Sequence, residues 1–251
     1  MKRRTFLKTA ATFSAVSVLT PSFTLANEEK NPFGITKKPR KFEVKNSYNF
    51  EQSKEITQLW IPLPKDEDYQ KVVSFKYDGN FSEAKIVKNP YNTRVLYVKW
   101  NDANIKPILD VNFGVVMQER TTDFSKATSN TNYPSEVLEF LEGTKHIPIT
   151  KGLTAYVNDI TKDSKTPLQK AKAIYDWTVS TMYRDESVIG CGIGDAQKSI
   201  EEKIYGGKCT DISSVFVCLL RNAKIPARET FGIRVGQSKI SNACGKADDK
   251  G

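Results

Sequence analysis

The sequence predicts an α+β protein. A β-sandwich-like domain at residues 27–120 is followed, across a linker at 121–133, by a partial α+β core at 134–251. Three observations predict it. From Lys41 to Glu119 apolar residues tend to alternate with polar ones, the period of half-buried strands. Thr121 to Tyr133 (TTDFSKATSNTNY) is polar throughout, as linkers are. Beyond Pro134 the apolar spacing changes to three and four residues, the period of helices. With 39% hydrophobic and 27% charged residues in 251 positions, the composition is that of a globular protein.

Residues 1–26 read as an address. The basic head MKRRTFLK precedes an apolar run, Ala10 to Leu19, too short to span a bilayer. A small-residue end at Thr24-Leu25-Ala26 roughly fits a signal cleavage site. Arg3-Arg4-Thr5-Phe6-Leu7-Lys8 resembles the twin-arginine export signal at every position. The resemblance implies a bacterial protein exported already folded, to the periplasm or beyond. No integral membrane segment is expected once the signal is removed. Four of the 38 Lys and Arg lie in this segment, which holds no acid; the remaining 34 bases face 29 acids, a net +5. Charge so slight and so spread argues against nucleic-acid binding, which clusters its bases. The run Lys37-Lys38-Pro39-Arg40-Lys41 reads as solvated linker.

Strands follow. Phe42, Val44, Tyr48 and Phe50 alternate with polar residues, and Leu59-Trp60-Ile61-Pro62-Leu63-Pro64 ends at prolines that cannot continue a central strand. Val72 to Tyr77 leads into the turn signal Asp78-Gly79-Asn80. Arg94 to Trp100 alternates, and Val111, Phe113, Val115 and Met117 form the cleanest two-residue period. Five or six strands at this spacing suggest a small sandwich or barrel, its aromatics mainly core.

Helices come next. Pro134-Ser135 opens a short segment that Gly143 can end, and Thr154 to Ile160 is another. At Thr166-Pro167-Leu168-Gln169 three signals of a helix start coincide: a capping threonine, a proline at the first position and a capping-box glutamine. Leu168, Ala171, Tyr175, Thr178 and Met182 then read as its buried face.

The chemistry concentrates at Gly206-Gly207-Lys208-Cys209-Thr210-Asp211, after which Val215, Phe216, Leu219, Leu220 and Ala223 follow a helical pattern. The glycines allow positive φ and close backbone approach. Cys209 therefore sits at a helix N-terminus, where free N–H groups and the dipole favour a thiolate and can bind a developing oxyanion. From these residues alone, an activated nucleophile and a buried structural cysteine are equally good readings. Asp211, on the same helix, reads as a dipole partner whose charge opposes a thiolate.

Gly207-x-Cys209, ten helical residues, Leu219 to Arg228 as L-x-R-x-x-K-I-P-A-R and then a strand-like Phe231 to Arg234 resemble the transglutaminase-like superfamily. Lys224 stands where the family has glycine. Leu59 to Pro64 and Gly190-Cys191-Gly192-Ile193-Gly194-Asp195 resemble segments upstream of the nucleophile in bacterial members. Read alone, the glycine cluster suggests a dinucleotide loop, but it lacks the full pattern and a preceding strand. The resemblance implies a papain-like fold and a Cys-His-Asp triad in which Cys209 attacks an amide carbonyl of a peptide or protein substrate. It also suggests an aromatic donor to the oxyanion, a role open to Tyr183 or Trp177, though both also read as core aromatics.

The family's histidine and aspartate lie on strands after the I-P-A-R segment. Here no histidine follows Cys209; the single His146 precedes it and reads as structural or surface, and Asp248 and Asp249 are not assigned as the acid. The 251 residues are therefore expected to be an inactive piece of a longer cysteine peptidase or amidase. A natural short form that has lost catalysis is the other explanation. The rival in kind is a non-catalytic periplasmic binding or scaffold protein. No C-x-x-C is present, so thiol-disulfide exchange as a main activity and a zinc site are both disfavoured; no metal or cofactor is implied. Cys218 is expected in the core, and Cys191 with Cys244 is an open disulfide possibility.

Overall fold

The computed structural model describes residues 38–52, 55–89, 93–118 and 122–233; the expected signal at 1–26, Cys244, Asp248 and Asp249 lie outside the described residues. Six strands come first: β1 (Arg40–Asn49), β2 (Thr57–Pro62), β3 (Gln70–Gly79), β4 (Glu83–Lys88), β5 (Arg94–Trp100) and β6 (Ile108–Met117). They form two antiparallel three-stranded sheets, ordered β1-β6-β3 and β2-β5-β4. The most apolar strands, β5 and β6, take the centres. Leu96, Val98 and Trp100 of β5 and Leu109 and Val111 of β6 share one core and are at most 1% exposed.

The edge strands follow local chemistry. Pro62 ends β2 at the sheet edge, where its missing N–H costs no ladder bond. β4 carries Glu83, Lys85 and Lys88 among its six residues, so no apolar alternation marks it in the sequence. Asp78-Gly79-Asn80 does turn the chain, and Asn80 seals the turn. Its Oδ1 accepts from Trp100 Nε1 at 2.9 Å and from the Ile108 N–H at 2.8 Å, and its Nδ2 donates to the Lys106 carbonyl at 2.9 Å.

The second unit is helical around one central element. A 3-10 helix at Ser135–Leu141 precedes α1 (Lys151–Ile160), α2 (Pro167–Thr181), β7 (Tyr183–Arg184), α3 (Ala196–Glu201), β8 (Gly206–Gly207) and α4 (Cys209–Asn222). α4 supplies Val215, Cys218 and Leu219 to a core completed by Leu153 and Val157 of α1, Ile174 of α2 and Ala196 and Ile200 of α3. Both bonds of the capping box at Thr166 and Gln169 are made. The expected face of α2 is buried in part: Thr178 and Met182 are buried and Ala171 packs on the core, but Ile174, fully buried, takes the central place expected for Tyr175. Leu168 and Tyr175 lie outward, 36% and 53% exposed. Both sets obey helical spacing; α4 selects the stripe with the β-branched Ile174, and Tyr175 lies near-perpendicular to Phe216, with ring centroids 6.4 Å apart.

α4 ends in a Schellman motif: the Lys224 N–H donates to the Arg221 carbonyl at 3.0 Å and the Ile225 N–H to the Leu220 carbonyl at 2.9 Å. That motif puts Lys224 at φ 64°, a left-handed conformation that costs a side chain about 1 kcal/mol. Lys224→Gly is therefore expected to stabilise the protein by about 1 kcal/mol in urea unfolding. An unchanged or lower midpoint would contradict this account of the helix end.

Candidate active site

The chain reaches the N-terminus of α4 through a tight passage. β7 and β8 pair in parallel, Tyr183 with Gly206 and Arg184 with Gly207. A Cβ on Gly206 would lie 2.8 Å from the Tyr183 ring, and one on Gly207 would lie 2.6 Å from Asp211 Cβ. Close approach explains the glycine pair; the positive φ expected there is found instead at Gly190, Gly192 and Gly194.

Cys209 is the first residue of α4 and its thiol side chain is exposed. Cys218, two and a half turns on, is buried and meets the Pro148 carbonyl at 3.4 Å; burial pushes its thiol up to about 12. One helix thus carries a presented cysteine and a sequestered one, as the core reading of Cys218 expected.

Asp211 joins two segments at this helix start. Its Oδ2 accepts from the Lys208 N–H at 2.9 Å, and its Oδ1 accepts from the Ile193 and Gly194 N–H groups, both at 2.9 Å. The Thr210 N–H donates to the Cys191 carbonyl at 3.2 Å. The loop 190–194 is thereby laid across the start of α4. Gly192 (φ 92°) has to be glycine, because a Cβ there would lie 2.0 Å from Asp211 Oδ2. The glycine cluster shapes the surroundings of Cys209, and Asp195 goes on to cap α3 through the Lys198 N–H at 3.0 Å.

A charged group flanks the cysteine. Lys208, with a side chain only 9% exposed, pairs with Glu186, and Arg184 Nε meets the same carboxylate at 2.5 Å. Hydrogen bonds from Arg184 and then Lys208 hold the Glu186 carboxyl down at about 2. Glu186 in turn holds Arg184 more firmly protonated. Sequence reasoning missed this trio because Lys208 and Glu186 are 22 residues apart.

The aromatic candidates separate. Trp177 is packed in the helical core, edge-on to Tyr156 at 5.7 Å and to Tyr205 at 5.9 Å. Tyr183 is 62% exposed and covers Gly206, three residues before Cys209. His146 is exposed, and its carbonyl accepts from the Ala196 N–H at 3.1 Å. Beyond α4, buried Arg221 donates to the Ala227 and Glu142 carbonyls, both at 2.7 Å, so this motif residue fixes the returning I-P-A-R segment. Arg228 pairs with Glu67 of the β unit at 2.9 Å, and Ser214 donates to Glu229 at 2.7 Å. Among the described residues no three His, Cys, Asp or Glu side chains converge as a metal site, and no helix is long and apolar enough to cross a membrane.

Comparisons with known proteins agree with this architecture. Residues 154–249 match the family model of the transglutaminase-like superfamily core. An uncharacterized protein of Haemophilus influenzae is 34% identical over 252 residues, covering 94% of this chain and 68% of that protein. A crystal structure from Cytophaga hutchinsonii, described provisionally as a cysteine protease, superposes with a TM-score of 0.62 at 16% identity. That match covers 75% of this chain, which spans 65% of the solved protein.

Proposed function

The chain belongs to the transglutaminase-like superfamily, and from that membership we propose that it is the nucleophile-bearing part of an exported cysteine hydrolase acting on peptide or isopeptide amides. The observation that carries the reading is the exposed Cys209 at the first position of α4. Its sulfur attacks the amide carbonyl carbon, forming a C–S bond and an oxyanion that faces the helix-start N–H groups. The C–N bond then breaks, the amine leaves with a proton, and water hydrolyses the thioester to release acid and restore the thiol. Tyr183, exposed beside Gly206, is the better placed of the two aromatic candidates to donate to the oxyanion.

The proton carrier is the family's histidine, oriented by its aspartate, on strands following the I-P-A-R segment. The 251 residues are accordingly proposed to be inactive alone. Export follows the signal at residues 1–26. Assay of this chain beside a form extended through the histidine and aspartate tests the reading. Cys209-dependent amide hydrolysis is expected only from the extended form. Hydrolysis by the 251 residues would refute the incompleteness, and inert extended protein would favour a non-catalytic scaffold. The intact mass of the protein from its own cells gives the mature ends: loss of 26 residues supports export.

A further inference from the structure

We propose that Cys191 and Cys209 are a reversible redox pair, Cys191 resolving oxidation of the nucleophile by forming a disulfide with it. The two are 18 positions apart in sequence, but the 190–194 loop brings them together. The Cys191 carbonyl accepts the Thr210 N–H at 3.2 Å, so the Cα atoms of Cys191 and Cys209 flank one hydrogen bond. Backbone geometry then puts them on the order of 5–8 Å apart, a range that overlaps the ~4.4–6.8 Å of disulfides.

Both thiols are exposed. Gly190 (φ 70°) and Gly192 (φ 92°) bracket Cys191, and nothing lies within 4 Å of where a Gly190 Cβ would stand. The loop is pinned at Ile193 and Gly194, on one side of Cys191 only, by Asp211. That leaves the Gly190 side room for the small adjustment a disulfide needs. Cys218 does not compete, being buried with its thiol pushed up to about 12.

The oxidant is a small-molecule disulfide. Cys209 attacks one of its sulfurs, breaking the S–S bond and releasing one thiol, and leaves a mixed disulfide at Cys209. Cys191 then attacks the Cys209 sulfur and releases the second thiol. Two protein thiols have given two electrons and two protons to the oxidant, and a dithiol reverses the sequence. That oxidation switches off catalysis rests on the reading of Cys209 as nucleophile; the disulfide itself does not.

The full 251-residue chain is incubated with oxidised glutathione, alkylated with iodoacetamide and digested without reduction for mass spectrometry. A Cys191–Cys209 cross-linked peptide is expected, with Cys209 alkylation at least tenfold lower and restored by dithiothreitol. In Cys191→Ser, glutathione should stay on Cys209 as an unresolved mixed disulfide. Cys244→Ser should leave the cross-link intact. A Cys191–Cys244 disulfide with Cys209 still alkylated, or glutathione persisting on Cys209 in the unsubstituted chain, would overturn the pair. Loss of hydrolysis by the extended form would bear on the nucleophile and leave the cross-link result standing.

Discussion

Cys209→Ala, made in the extended form, is expected to lower amide hydrolysis on the order of 10⁴-fold or more. The effect is large because the Cys209 sulfur is the atom proposed to form the covalent intermediate. Without it, water must attack the amide directly, helped by the oxyanion donors and the histidine but with no covalent intermediate. Cys209→Ser keeps the geometry but replaces a thiol by a much weaker acid, so its loss should approach that of alanine. Stability is expected to separate chemistry from folding: Cys209 is exposed, so both variants should unfold within about 0.5 kcal/mol of the parent. A retained rate within tenfold would remove Cys209 from the mechanism, and a large drop in stability would make the rate uninformative.

The position of Cys209 at a helix start is legible in the sequence because its signals are local. A glycine pair, a cysteine and a helical apolar pattern predict a cysteine at a helix start, and α4 begins at Cys209. The cap at Thr166 and Gln169 was legible for the same reason, its partners being three residues apart. β6 is legible because buried Val111 and half-buried Phe113 flank the exposed Asn112, an alternation written in the residues.

Where a feature depends on the partner across a gap, the sequence is ambiguous. Two stripes of α2 satisfy helical spacing, and only packing on α4 decides for Ile174 over Tyr175. β4, at a sheet edge, needs few apolar residues and shows few. The Lys208–Glu186–Arg184 group is an ion-pair set closed by β7 lying beside β8, a pairing of two residues each that leaves no periodicity to read. The glycines at 190, 192 and 194 were visible as a cluster, but their purpose is set by a carboxylate 17 to 21 positions later. From sequence Asp211 is a charge near a dipole; in the fold its main role is to accept three backbone N–H groups.

Asp211→Ala tests that role and should cost about 3 kcal/mol. A hydrogen bond to a charged group contributes about 1.5–3 kcal/mol, and three sharing one carboxylate are not additive. The Lys208 N–H is part buried, so its loss of a partner is poorly repaid by water. Alanine also removes the only side-chain link between loop 190–194 and α4 among the hydrogen bonds described, leaving the Thr210–Cys191 backbone bond. Damage should therefore be local first: amide exchange at Ile193, Gly194 and Lys208 should speed up well beyond that at Leu219 in the middle of α4. Asp211→Asn keeps an oxygen for Ile193 and Gly194 but turns an amide N–H₂ toward the Lys208 N–H. Its exchange should stay slow at the loop and rise at Lys208, separating the two halves of the clamp. Unchanged exchange at all three amides in the alanine variant, with stability within about 0.5 kcal/mol of the parent, would mean that the glycine loop is held by its own backbone and not by Asp211.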